Sequence, residues 1–158
     1  MKNEMNVLIV CVLLWCFGII AAPLFSGSYF SIFLYRFYST VCHQYYSRSF
    51  LIYDGPFAVC IRCTSIYAGF LSALIIIRFV PQIRLKNFNT FILLTVTSLQ
   101  MFIDGTASLL NIHESTTISR IITGSIFGFG MALLLHRTLT EVIHIYIIKR
   151  TKWYGIET

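Results

Sequence analysis

Apolar residues in this chain come in runs too long for an ordinary soluble helix or strand. Residues 5–25 contain one strongly polar side chain, Asn6. Residues 57–80 are uncharged from Cys63 through Ile77. In residues 87–110 the only charge is Asp104, and a run opening at Arg120 stays uncharged through Leu135. About 20 apolar residues, rising 1.5 Å each, cover the ~30 Å hydrocarbon core of a bilayer. Each run therefore predicts a transmembrane helix, at residues 5–25, 57–80, 87–110 and 120–137. The first run also has features of a secretory signal, with Lys2 before it and the small residues of "IIAAPLF" at its end. Its length, and the spans that follow, argue for a retained helix.

Two further segments complete the pattern. "SYFSIFLYRFYSTV", just before Cys42, is aromatic with a single Arg36, which predicts an interfacial helix or a helix packed against the bundle. The tail from His136 is apolar at Val142, Ile143, Ile145, Tyr146, Ile147 and Ile148 and charged at both ends. It either continues the fourth span or lies along the membrane surface. The expected fold is all-α: one domain over residues 1–158, an integral membrane bundle of four transmembrane helices, with an interfacial helix before Cys42 and an amphipathic C-terminal helix.

Composition agrees. Hydrophobic residues make up 57% and charged residues 11%, against roughly 25% charged in soluble domains, and the mean hydropathy is +0.78. The net charge of +6 is spread over the ends of the apolar runs, not gathered in a patch, so no nucleic-acid surface is expected. Lys2, Arg78, Arg84, Lys86, Arg137, Lys149, Arg150 and Lys152 fall on one side of the membrane. Arg36, Arg48, Arg62 and Arg120 fall on the other. The positive-inside rule then puts both termini in the cytoplasm of a multi-pass protein of the cell (inner, cytoplasmic) membrane. The lipid bilayer is the expected partner. Ser65, Gly69 and Ala73 form a stripe of small residues, and Gly124 and Gly128 a G-x-x-x-G step. Both suit close helix packing, and such faces also suit a homo-oligomer.

Three polar positions share one depth. Counted from the basic residues at the cytoplasmic ends, Cys63 lies roughly 22 Å up its span, Asp104 roughly 27 Å and Arg120 roughly 26 Å. All fall just inside the outer face. A charge at that depth is costly unless paired or wetted. Asp104 and Arg120 therefore read either as an ion pair between the third and fourth spans or as groups lining an outward cavity, where they are candidate catalytic residues.

The chemistry gathers at the mouth of the second span. Cys60 and Cys63, three apart at a helix start, put both sulfurs on one face, with Tyr67 continuing it. Cys42 and His43 precede them across a turn containing Asp54, Gly55 and Pro56. Soft thiolates suit zinc or copper(I), which gives Cys42, His43, Cys60 and Cys63 as metal ligands. Adjacent residues point different ways, so His43 joins Cys42 on one ion only if the backbone bends. Otherwise water, Asp104 or His113 fills the fourth place. Arg48, Arg62 and Tyr67 are then candidate contacts for a substrate or phosphate. The same cysteines fit dithiol redox: a Cys pair at a helix N-terminus tends to be acidic and nucleophilic, with Cys42 as partner thiol and quinone as electron acceptor. Cys11 and Cys16 lie mid-span without polar neighbours and read as packing.

Cys42-His43-Gln44, Arg48-Ser49, Cys60-x-Arg62-Cys63-Thr64 and Ile66-Tyr67-x-Gly69 together resemble a family of small membrane proteins of bacteria and archaea, domain of unknown function 2085. Asp104-Gly105, Glu114-Ser115 and Arg120-x-x-Thr123-Gly124 are similar to its second motif. Ser65 stands where members often have Gly, and Thr106-Ala107-Ser108 lacks a Gln common there. The resemblance implies a multi-span protein whose motif residues belong together. It implies no reaction. The leading expectation is a membrane metal-binding protein with an outward Cys/His site holding zinc or another soft-ligand metal, or a metal-dependent enzyme that uses this site on a lipid-soluble or extracytoplasmic substrate. A quinone-linked thiol–disulfide oxidoreductase and a structural or partner-binding bundle are the alternatives.

Overall fold

The computed structural model describes residues 2–52, 55–80, 90–109 and 116–153. Asn87, His113, Glu114 and Ser115 lie outside them, and Asp104 is described only as part of a helical backbone. Among the described residues the fold is all-α, apart from one short hairpin. It comprises α1 (Lys2–Leu24), α2 (Tyr29–Tyr38), a 3-10 turn (Tyr46–Arg48), β1 (Leu51–Ile52), β2 (Gly55–Pro56), α3 (Ile61–Phe79), α4 (Thr90–Leu109) and α5 (Thr117–Trp153). Three helices are long and apolar enough to cross a membrane, within Glu4–Leu24, Ile61–Phe79 and Thr117–Val142. These are the first, second and fourth expected spans. Leu13, Leu14 and Phe17 of α1 are exposed, as suits a helix whose solvent is lipid.

The tail does not turn off as a separate amphipathic helix. It continues α5 without a break to Trp153. Nothing in "HRTLTEV" breaks a helix, and Arg137 pairs with Glu141 one turn on at 3.2 Å.

Helix directions follow from the contacts. Arg78 Nε donates to Asn6 Oδ1 at 3.0 Å, while at the other end Ala58 N donates to Ile19 O at 3.4 Å. Helices α1 and α3 are therefore antiparallel. The Ile19–Ala58 bond has a sequence cause. Pro23 lies inside α1 and has no N–H, so the carbonyl four residues earlier, Ile19, loses its helical donor. Ala58 supplies one from the segment entering α3.

Helices α3 and α5 are parallel and very close. A Cβ added at Gly124 would lie 2.8 Å from Arg62 O, and one at Gly69 or Gly128 would run into the backbone of Ser125 or Ile66. The small stripe of Ser65, Gly69 and Ala73 is buried in this contact. The faces that suited self-association are thus used within the chain. At the end away from the cysteines, Ala73, Leu74 and Ala132 form a core with Met5, Leu8, Ile9 and Val12 of α1 packed on it.

Helix α2 lies against α1. Ser28 caps it, its hydroxyl accepting from Ser31 N at 3.2 Å. Ser31, Leu34 and Tyr38 face inward, whereas Tyr29, Phe30, Phe33 and Phe37 are exposed.

Candidate metal centre

Three local structures bring three sulfurs together. The first is the end of α2. Cys42 N–H donates to Tyr38 O at 3.0 Å, which ties Cys42 to the last turn of that helix. The second is the β1–β2 hairpin, paired Leu51 with Pro56 and Ile52 with Gly55. It reverses the chain, and Phe57 N donates to Phe50 O at 2.7 Å just beyond it. The third is the start of α3. Cys60 is its N-cap, with extended backbone, and Cys63 is in its first turn.

The Sγ atoms of Cys42, Cys60 and Cys63 lie within 4.8 Å of one another. All three cysteines are free thiols. Cys42 is buried and the other two are half-buried. Zinc–sulfur bonds of about 2.3 Å would hold tetrahedral sulfurs about 3.8 Å apart, which lies within this limit. The cluster can thus hold a metal ion.

The surroundings favour thiolate at Cys42. Cys60 N–H donates to Cys42 Sγ at 3.2 Å, and the positive end of α3 points at the cluster. Hydrogen bonds with the Cys60 and Cys63 side chains push the Cys42 thiol far below the usual thiol range, and backbone bonds from Cys60 and Gln44 add to this. Beneath the sulfurs lies an aromatic floor. Trp15 of α1 meets Tyr38 edge-on at 5.1 Å and Tyr67 of α3 at 5.8 Å.

The other expected site residues are distributed around this centre. His43 is exposed, and its ring stacks on Tyr45 at 6.1 Å with 3° between the planes. It is not in the three-sulfur group. The guanidinium of Arg48 sits 5.5 Å from the centre of the same Tyr45 ring. His43 and Arg48 thus share an outer aromatic contact while the thiols face inward. Arg62 reaches toward α4, its Nη1 3.7 Å from where a Cβ would stand at Gly105. Arg62 and Arg120 each have interaction partners. Tyr67 lies one turn beyond Cys63 and packs with Cys60 and Cys63 against the Cys42 core.

One residue at the centre was not expected to act there. Gln44 has a left-handed backbone, φ 52°, and its amide nitrogen donates to Tyr35 O at 2.7 Å and to Ala58 O at 2.8 Å. Its place in the Cys42-His43-Gln44 motif is the sequence signal it gives.

The family profile described as "Predicted membrane protein (DUF2085)" matches residues 42–134. An uncharacterised protein of Methanocaldococcus jannaschii is 32% identical over 152 residues, 91% of this chain and 97% of that protein. Another, from Methanothermobacter thermautotrophicus, is 30% identical over 105 residues, 66% of this chain and 93% of that protein. No solved structure matches the chain.

Proposed function

Since this chain belongs to the DUF2085 family of predicted membrane proteins, whose matched region opens at Cys42, we propose that it binds a soft metal ion, zinc or copper(I), at the end of a four-span bundle. The observation that carries this reading is the convergence of three free thiols within 4.8 Å. Disulfide chemistry needs two sulfurs, whereas soft-metal sites use three or four. Cys42, Cys60 and Cys63 are the ligands. With His43 stacked on Tyr45, the fourth position is open to water or to an incoming ligand, the form that catalytic zinc sites take. A bound ion there would supply Lewis acidity. The chain's own residues hold the thiolates, exclude water with Trp15 and Tyr38, and offer the Tyr67 side chain at the cluster's inner edge.

In this reading α4 is the remaining span, which puts Asp104 and Arg120 on adjacent helices near the cluster end. The aromatic outer face of α2 rests at the membrane interface. Both termini are cytoplasmic, and the cluster faces outward across the cell membrane. Arg48 and Arg62 are cationic contacts for an anionic group such as a lipid phosphate.

Metal content and free-thiol count on one purified, reduced sample test the proposal. Close to one zinc or copper per chain, with the cluster thiols protected from alkylation until a chelator is added, is the expected result. No metal, with a Cys60–Cys63 disulfide after air oxidation, would instead favour the dithiol reading, in which Cys60 and Cys63 give two electrons and two protons to a quinone as they form the disulfide, with Cys42 as the partner thiol.

A further inference from the structure

The Gln44 side chain hydrogen-bonds to backbone on both sides of the cluster. The cluster is made from two pieces of chain. Cys42 belongs to the end of α2, and Cys60 belongs to the segment that Ala58 opens. An amide nitrogen carries two hydrogens, and Gln44 gives one to each piece: Tyr35 O of α2 and Ala58 O before α3. Only the nitrogen can face two carbonyl oxygens, so the orientation of the amide is settled by its partners. This geometry costs backbone strain. Gln44 holds φ 52°, a region that residues other than Gly enter only when their surroundings over-determine it.

We propose that Gln44 is the positioning residue of the three-cysteine centre: its amide locks the end of α2 to the entry of α3, and so sets Cys42 in register with Cys60 and Cys63 before any metal arrives. The metal reading supplies what the thiols hold, and the positioning itself is read from the metal-free protein. Partners that orient metal ligands commonly change affinity by about 10–100-fold when removed. Gln44 is such a partner for a ligand two residues away.

The test uses three variants of the full chain in detergent. Gln44→Glu keeps the shape but turns a double donor into an acceptor facing two carbonyls. Gln44→Gly keeps the left-handed backbone without strain and removes the amide, which guards against misfolding of the first variant. Tyr35→Phe is the control. It deletes the Tyr35 hydroxyl bond to Pro56 O, which joins the same two pieces of chain without involving Gln44 or Cys42. Two readouts are taken: zinc affinity by chelator competition, and the alkylation rate of Cys42 in metal-free protein by peptide mass mapping.

In both Gln44 variants Cys42 is expected to label about tenfold faster and zinc affinity to fall about tenfold, with one zinc still bound at saturation. Tyr35→Phe is expected to match the parent in both. Unchanged Cys42 labelling in the Gln44 variants would overturn the proposal, as would an equal rise in Tyr35→Phe, which would mean general loosening. If the parent binds no zinc, the metal reading fails by itself, and the labelling rates still decide the role of Gln44.

Discussion

The hydroxyl of Tyr38 donates to the carbonyl of Trp15 at 2.8 Å, and it reaches that carbonyl through space that Gly18 leaves open. A Cβ at Gly18 would strike this hydroxyl and come within 3.3 Å of the ring carbon bearing it. The same Tyr38 accepts the Cys42 N–H through its backbone, so α1 braces the residue that carries Cys42. Gly18→Ala is expected to lower the melting temperature in detergent. Tyr38→Phe alone removes one hydrogen bond and costs about 1 kcal/mol. In the double variant the methyl occupies the space the hydroxyl has left, so it is expected to be more stable than Gly18→Ala. A double variant no better than Gly18→Ala would show that the contact does not limit stability.

The parallel contact of α3 and α5 makes a second prediction. Gly124→Ala places a methyl 2.8 Å from Arg62 O and 3.0 Å from Ser65 Cβ. Neither helix backbone yields easily, and overpacking of this kind costs about 1–3 kcal/mol. Thermal unfolding of the solubilised protein measures it. Since Arg62 lies between Cys60 and Cys63, metal affinity is expected to fall as well.

Replacement of Cys42, Cys60 or Cys63 by Ser is expected to take metal content from about one per chain to near zero, because each removes a soft ligand from a minimal set. Cys11→Ser and Cys16→Ser are expected to retain the metal. Equal loss across all five, measured by elemental analysis of purified protein, would point to misfolding and remove the ligand assignment.

Asp104 on α4 and Arg120 on α5 are expected to act as a pair across adjacent helices. Asp104→Asn and Arg120→Gln should each destabilise the bundle, because each leaves a lone charge near a low-dielectric layer. The double variant should recover part of the loss, with a coupling of about 0.5–3 kcal/mol. Strict additivity of the two single effects would rule out the pair.

Sidedness is checked by cysteine labelling from outside intact cells. Ser47, in the exposed turn beside the cluster, and Glu141, exposed on α5 toward the other end, are each replaced by Cys. An impermeant reagent should reach the first and not the second, after subtraction of the labelling of the parent protein. The reverse pattern would turn the site inward.

Much of this could be read from the sequence, for physical reasons. Hydrophobic runs of span length mark α1, α3 and α5, because length and apolarity are sequence properties. The small stripe Ser65, Gly69 and Ala73 marks a close helix contact for the same reason, although the sequence could not say which helix fills it. Three-residue spacing put Cys60 and Cys63 on one face, and the turn before them allowed Cys42 to return. What stayed hidden depends on side-chain direction and long-range backbone pairing. His43 and Cys42 are adjacent in sequence, and their side chains go to an outer aromatic contact and to the inner cluster. Gln44 carries no periodic signal, since its two acceptors come from residues distant in sequence. Arg137 and Glu141 look like the end of a span, yet no helix breaker stands there, and α5 continues past them to a total of 37 residues.

Pro23 bears on how the protein is made. As the chain leaves the ribosome, α1 reaches the bilayer before Ala58 has been synthesised. During that interval the Ile19 carbonyl has no amide four residues on to accept from, and hydrocarbon offers it none. The first helix therefore keeps one backbone acceptor open until the segment that carries Ala58, two residues before Cys60, arrives alongside. The bond that fills the gap left by Pro23 is also the bond that seats the entry to the cysteine centre against α1.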